Sequence, residues 1–275
     1  MNSLNFICNQ NQKLLKFYKK LLKSVEAYEK SISIIIQGPL NLRSIEAIPD
    51  YIKYGEVIVS CWDTDDISLL DKYKDKIKII VNKYSDALPF ARKTHLTNPI
   101  ILQYHSAYNG IKKSSGNFCI KLRSDERFPN LDNLIKKLIS NRDNENSWFK
   151  IITSNIYFRY DKQKKFHPSD HIVAGCKTRM KEIYKKCLFK CKHGFYNNIG
   201  PEQLLGICTI ETYFDKNNKT WDRAIPEHSV SLMQKHFDII KISDLPNRIW
   251  TSSYRKYAKL TQEEDWCHHI NHLDK

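Results

Sequence analysis

The sequence contains no apolar run approaching the roughly 20 residues needed to cross a bilayer. It also lacks a charged leader followed by an apolar signal core, so the reading is a cytoplasmic protein. Glycine is scarce, with 8 in 275 residues, and none falls into a GxGxxG or GxxxxGK pattern. That excludes the dinucleotide fingerprint and the P-loop as sources of function. There is no internal repeat, low-complexity tract or Gly/Ser/Pro-rich linker, which favours one continuous domain. Acidic residues are outnumbered, 30 against 45 Lys and Arg. The resulting +15 formal charge invites nucleic acid, an anionic membrane surface or a phosphorylated small substrate as partner.

What is present points to a globular core, since 41% of the residues are hydrophobic and 12% aromatic. The 8 cysteines form no framework, and Cys61, Cys119 and Cys208 lie in apolar runs, as expected for reduced, buried thiols. Cys187, Cys191 and His193 cluster locally, but their spacing matches no common zinc finger. Much of the excess charge is Lys in helix-like stretches. In "KLLKFYKKLLKSVEAYEK", Leu14, Leu15, Tyr18, Leu21, Leu22 and Val25 share one helical stripe. Residues 1–30 therefore read as a basic amphipathic helix, able to pack on the domain or to lie peripherally at the inner face of a membrane.

From residue 31 the pattern changes. "SISIIIQGPL" reads as a buried strand closed by a turn, "EVIVSCW" and "KIKIIVN" as two further strands, and "NFCIKL" as a fourth. Asn98 to Ser114, with Pro99 in the first turn, reads as a helix. Strands alternating with helices predict an α/β fold with a mostly parallel sheet flanked by helices. In such sheets ligands gather beyond the carboxyl ends of the strands. Those ends carry Gln37-Gly38-Pro39, Trp62-Asp63, Asn82 and Arg123-Ser124-Asp125-Glu126. Residues 31–145 read as the nucleotide-binding half. Residues 146–275 read as a second, less regular half, with a loop into a strand at "HPSDHIVAG" and helices in "CKTRMKEIYKKCLFK" and "GPEQLLGICTIETYF".

Adjacent carboxylates at the end of a buried strand repel and resist desolvation, so something must offset them. Either Arg123 and Arg127 pair with them, or Asp125 binds a divalent ion that grips the phosphates of a ligand. Arg92 and Lys93 could add charge for a diphosphate, and Asp63, Asp65 and Asp66 could accept from a base or ribose.

The ordered set "ISIIIQGPL", "EVIVSCWDTDD", "QYHSAYNGI", "FCIKLRSDERF", "HPSDHIVAG" and "PEQLL" resembles the WavE lipopolysaccharide-synthesis family over residues 31–210. The resemblance implies a GT-A-like glycosyltransferase with a nucleotide-sugar donor, UDP-sugar favoured, and Mn2+ or Mg2+ at a DxD-like motif. "RSDE" stands in that position, so Asp125 carries over as metal ligand, with Glu126 beside it and His228 as a late third. The motif departs from a strict DxD. The helix ahead of it also departs, with Ile101 and Leu102 preceding Gln103.

Glycosyl transfer with inversion needs a base for the acceptor hydroxyl. Asp170 is the first candidate and Glu202 the second. Blander roles compete: Asp170 as a turn cap, Glu202 as a helix N-terminal acid, Trp62 as core, Gln37-Gly38-Pro39 and Asn82 as turn residues. The rival functions are a non-catalytic nucleic-acid-binding protein, disfavoured by the apolar strands, and a sugar-phosphate nucleotidyltransferase, disfavoured by the single glycine after the first strand.

Overall fold

The computed structural model describes residues 31–91, 99–144, 150–156, 158, 165–194, 199–212, 226–246 and 249–250. The amphipathic stretch of residues 1–30, Arg92 and Lys93 lie outside them. The chain runs β1 (Ile32–Gln37), α1 (Leu42–Ile52), β2 (Glu56–Trp62), a 3-10 turn (Ile67–Tyr73), β3 (Lys78–Asn82), α2 (Tyr84–Ala91), α3 (Pro99–Lys113) and β4 (Phe118–Arg123). It continues through β5 (Glu126–Arg127), α4 (Asp132–Asp143), β6 (Ile151–Ser154), β7 (Ile172–Cys176), α5 (Lys177–Lys192), α6 (Pro201–Glu211), α7 (Pro226–His236), β8 (Phe237–Ile240) and β9 (Ile249–Trp250).

Seven strands form one sheet in the order β3-β2-β1-β4-β7-β6-β8. β1 through β4 are mutually parallel; β1, β2 and β4 are largely apolar and buried, while β3, at the sheet edge, is partly exposed. Alternation along each strand splits the core in two. Ile35 and Ile58 join α3, α5 and α6 on one side, whereas Ile34, Ile36, Val57 and Val59 join α1 and α4 on the other. The described residues form a single Rossmann-like α/β domain.

β7 departs from the parallel pattern: it runs antiparallel to both β4 and β6. The residues that lead into β7 are thereby delivered to the edge where β4 ends, since Ile172 pairs with Leu122.

α3 lies close on this sheet because its inner face is small. A Cβ on Gly110 would stand 2.5 Å from Ile35 Cγ2, so only glycine allows the helix that near β1. Ser60 Oγ donates to the Ser106 carbonyl at 2.7 Å, and Gln37 Nε2 to Ser106 Oγ at 3.0 Å. These contacts fix the middle of α3 over the ends of β1 and β2. α1 is set by Asn41, whose side chain accepts from the Arg43 and Ser44 amides as an N-cap.

Candidate active site

The segment that raised the question of paired carboxylates leaves the sheet at Arg123. Ser124 N donates to Gln37 O at 2.9 Å, one step beyond the β1–β4 ladder. Opposite it, Gly38 holds φ +127°, and a Cβ there would come 2.5 Å from Ser124 Oγ. Glycine is required at this position by the approach of two strand ends and by its backbone conformation.

Arg123 then turns back on its own loop. Its Nε and Nη2 donate to the two oxygens of Asp125 at 2.9 Å each, a bidentate fork. Glu126 Oε1 lies 3.8 Å from Arg123 Nε, and Asp170 Oδ2 lies 3.8 Å from Nη1. Burial alone would weaken the guanidinium's hold on its proton, but the Asp125 bonds and then the Asp170 and Glu126 charges strengthen it. Arg127 takes no part. Its Nε binds Asp50 Oδ2 at 2.6 Å and its Nη1 lies 3.8 Å from Glu46, which ties β5 to α1. The expected pairing of both arginines with the acidic pair therefore holds for Arg123 alone, because β5 turns Arg127 toward the other face.

Glu126 is 1% exposed, and its Oε1 sits 2.5 Å from His171 Nδ1. The antiparallel entry of β7 makes this contact, and it also brings in Asp170. Asp170 is held from three directions. Lys121 Nζ donates to its backbone carbonyl at 2.5 Å, Gln103 Nε2 donates to its Oδ2, and Arg123 faces the same oxygen. Oδ1 has no hydrogen-bond partner among the described residues and faces His171 Nε2 at 3.8 Å. Burial on its own would raise the Asp170 carboxyl. Lys121, then His171 and Arg123, and finally the Gln103 amide reverse this and hold it well below the usual carboxylate range. Lys121 is itself fully buried, which lowers its ammonium while Asp170 offsets part of the effect.

Glu202 behaves oppositely. It stands in the first turn of α6, with Oε2 3.7 Å from His167 Nε2. Burial and the Asp170 charge raise its carboxyl above the ordinary value. α6 is pressed close here, since a Cβ on Gly206 would fall 2.1 Å from the Phe166 carbonyl oxygen.

The remaining candidates sit at the same edge but are engaged in holding it. Gln37 is bonded to Ser106, as noted, and Pro39 is exposed. Trp62 is 3% exposed, packed against Tyr84 and His105 with centroids 5.7 and 5.8 Å away. Asp63 is exposed, and its Oδ1 accepts from Tyr84 N at 2.9 Å, capping α2. Asn82 is buried, donating to Ser60 Oγ and Cys61 O at 3.0 and 2.7 Å. His228 falls in α7, and its side chain lies outside the described residues. Cys187, Cys191 and Cys208 are buried beneath α5 and α6. Burial and mutual repulsion raise Cys187 well above an ordinary thiol, and His193 faces outward.

Among the described residues no three His, Cys, Asp or Glu side chains are grouped to hold a metal ion. Asp125, Glu126 and Asp170 face Lys121, Arg123 and the His171 imidazole. Asp125 is the partly exposed carboxylate of that set.

Lys121, His167 and His171 were not singled out by sequence reasoning, and Gln103 was named only as the glutamine of the helix ahead of the motif. Lys121 had a signal, a lone cation inside the apolar "FCIKL", whereas the other three acquire their roles from the antiparallel strand and the packing of α3.

A family model for WavE lipopolysaccharide synthesis matches residues 32–206. The chain belongs to the WavE family. The matched span takes in β1 to β7 and every side chain of the Arg123 cluster, together with Glu202 in α6. WavE membership gives the protein a glycosyltransferase-type role in lipopolysaccharide synthesis. No curated protein matches the chain. Among the described residues, no helix is long and apolar enough to cross a membrane.

Proposed function

We propose that this WavE protein is a GT-A-type glycosyltransferase that moves a sugar from a nucleotide-sugar donor, with a UDP-sugar favoured, onto a glycan or lipopolysaccharide-type acceptor. The observation that carries the reading is the convergence of Arg123, Asp125, Asp170 and Glu202 at the carboxyl edge of a parallel sheet, where such folds bind ligands. A Mn2+ or Mg2+ ion would be held by Asp125, and when bound it supplies positive charge against the departing diphosphate.

The chain's own groups divide the remaining work by their proton affinities. Asp170 is held ionised and rigid by Lys121, Arg123 and Gln103, so it is a weak proton acceptor. Its unpartnered Oδ1 is suited to accept a hydrogen bond from a sugar hydroxyl. Glu202, whose carboxyl is raised above the ordinary value by burial and by the Asp170 charge, is the better suited of the two to general-base work. The base is therefore assigned to Glu202 ahead of Asp170, reversing the order that the motifs alone suggest. Arg123, released from Asp125 when a diphosphate arrives, would stabilise the leaving oxygen.

The test is calorimetric titration of UDP, GDP, CDP and ADP, each with and without Mn2+, into wild type and Asp125→Ala. The reading predicts binding of one nucleotide, weakened when either the metal or the Asp125 carboxylate is removed. Failure of all four to bind a folded protein would overturn the nucleotide-sugar reading and direct attention to nucleic acid.

A further inference from the structure

α5 starts after β7, which runs opposite to β4, so the helix begins at the far edge of the sheet and returns toward the site. Sixteen residues at about 1.5 Å each carry it back roughly 24 Å, the depth of the sheet. Its end consequently lies at the edge that carries Arg123 and Asp170. The charge of Lys192 is felt at His105, two residues beyond Gln103, as that placement requires.

This end has an unusual surface. Phe189 is 55% exposed, with its ring 4.1 Å from that of His193. Lys185 is exposed one turn before it, with Lys186, Lys190 and Lys192 around it. Glu211 answers Lys186 and Lys190 at 3.3 and 2.9 Å, which leaves the helix end strongly basic. The other large exposed apolar side chains among the described residues are Leu42, Ile67, Leu69 and Val81. Each follows or ends a strand at the carboxyl edge, so exposed apolar surface is gathered on one side of the domain. Ile67 and Leu69 stand beside Asp63, Asp65 and Asp66, a stretch that an anionic surface would repel. The basic side is α5.

We propose that the C-terminal end of α5 is a docking surface for an anionic lipid bilayer, with Phe189 entering the headgroup boundary and Lys185 and Lys192 meeting lipid phosphates. An aromatic tip ringed by lysines is the composition that interfacial binding selects, and charge complementarity names the partner. The inference stands on the surface alone and does not need the donor assignment.

The experiment is co-sedimentation of the full chain with phosphatidylcholine vesicles, with and without one third phosphatidylglycerol, at physiological salt. Wild type is expected to bind the anionic vesicles and not the neutral ones. Each lysine replaced, in Lys185→Gln and Lys192→Gln, lowers partitioning roughly five-fold, and Phe189→Ser lowers it further. Melting temperature and nucleoside diphosphate binding serve as controls for fold and site and should not change. Failure of wild type to bind the anionic vesicles would overturn the proposal, as an acidic protein partner would then be required. Undiminished binding by a variant that carries all three substitutions would also overturn it, assigning the contact to the Lys-rich residues 13–30. Nucleotide binding in solution is independent of either result, so the donor reading fails or stands separately.

Discussion

Replacing Asp170 with Asn changes one atom and removes the anion on which the buried side of the site is organised. Asp170 is 1% exposed, and its charge is met by Lys121, His171 and Arg123. Asn keeps the shape and can still accept from Gln103 through its amide oxygen. The buried cations lose their nearest anion, and removing one partner of such an arrangement costs about 3–5 kcal/mol. Deprotonation of Lys121, already lowered by burial, limits the loss from above. For 275 residues the unfolding entropy is on the order of 0.6 kcal/mol per degree, so Asp170→Asn should melt roughly 5–8 °C below wild type at neutral pH. The pH dependence has a definite sign. The folded carboxyl lies below its unfolded value of 3.8, so its stabilisation is complete above that pH and is lost as pH falls toward the folded value. Differential scanning calorimetry of both proteins between pH 7 and pH 3 would therefore give a gap that is constant down to the unfolded value and only begins to narrow at the acid end. A variant melting within a degree of wild type, or a gap that closes between pH 7 and 5, would refute the assignment of Asp170 as a fixed anion.

Glu202→Gln should have the opposite signature. The folded carboxyl is raised above 4.5, so wild type loses stability as pH rises through the interval between 4.5 and the folded value, and the variant does not. The variant should match wild type near pH 4, melt higher at pH 7.5, and lose transferase activity by about 100-fold or more if Glu202 is the base. Gly38→Ala places a side chain at φ +127° and 2.5 Å from Ser124 Oγ, and urea titration should report a loss of roughly 1–3 kcal/mol. Arg127→Ala removes partly exposed pairs with Asp50 and Glu46, and the same titration should report no more than about 1 kcal/mol, with nucleotide binding unchanged.

Much of the fold could be read from local pattern because it rests on local causes. The largely apolar runs of β1, β2 and β4 require cover on both faces, and the intervening helical spacing supplies it, so a mostly parallel sheet follows. Pro99 and Pro201 each open a helix, as residues suited to a first turn should. The position of Asp125 just past a buried strand places it at the carboxyl edge of the sheet.

The direction of β7 could not be read in this way. Side chains alternate with period 2 whichever way a strand runs, so "IVAGC" carries no mark of its orientation. Yet that orientation decides the site, since it sets Asp170 against Lys121, 49 positions away, and His171 against Glu126, 45 positions away. It also explains why Glu126, named from the motif as a metal neighbour, is buried against an imidazole, and why the Asp170 carboxyl is held low while Glu202 is raised. The sequence by itself determined which residues would stand at the edge of the sheet, because burial period and helix signals are written within a few residues of each other. Tertiary structure alone decided which of those residues touch, and with that their proton affinities, because a carboxyl group's pKa is set by the burial and charges that packing gathers around it.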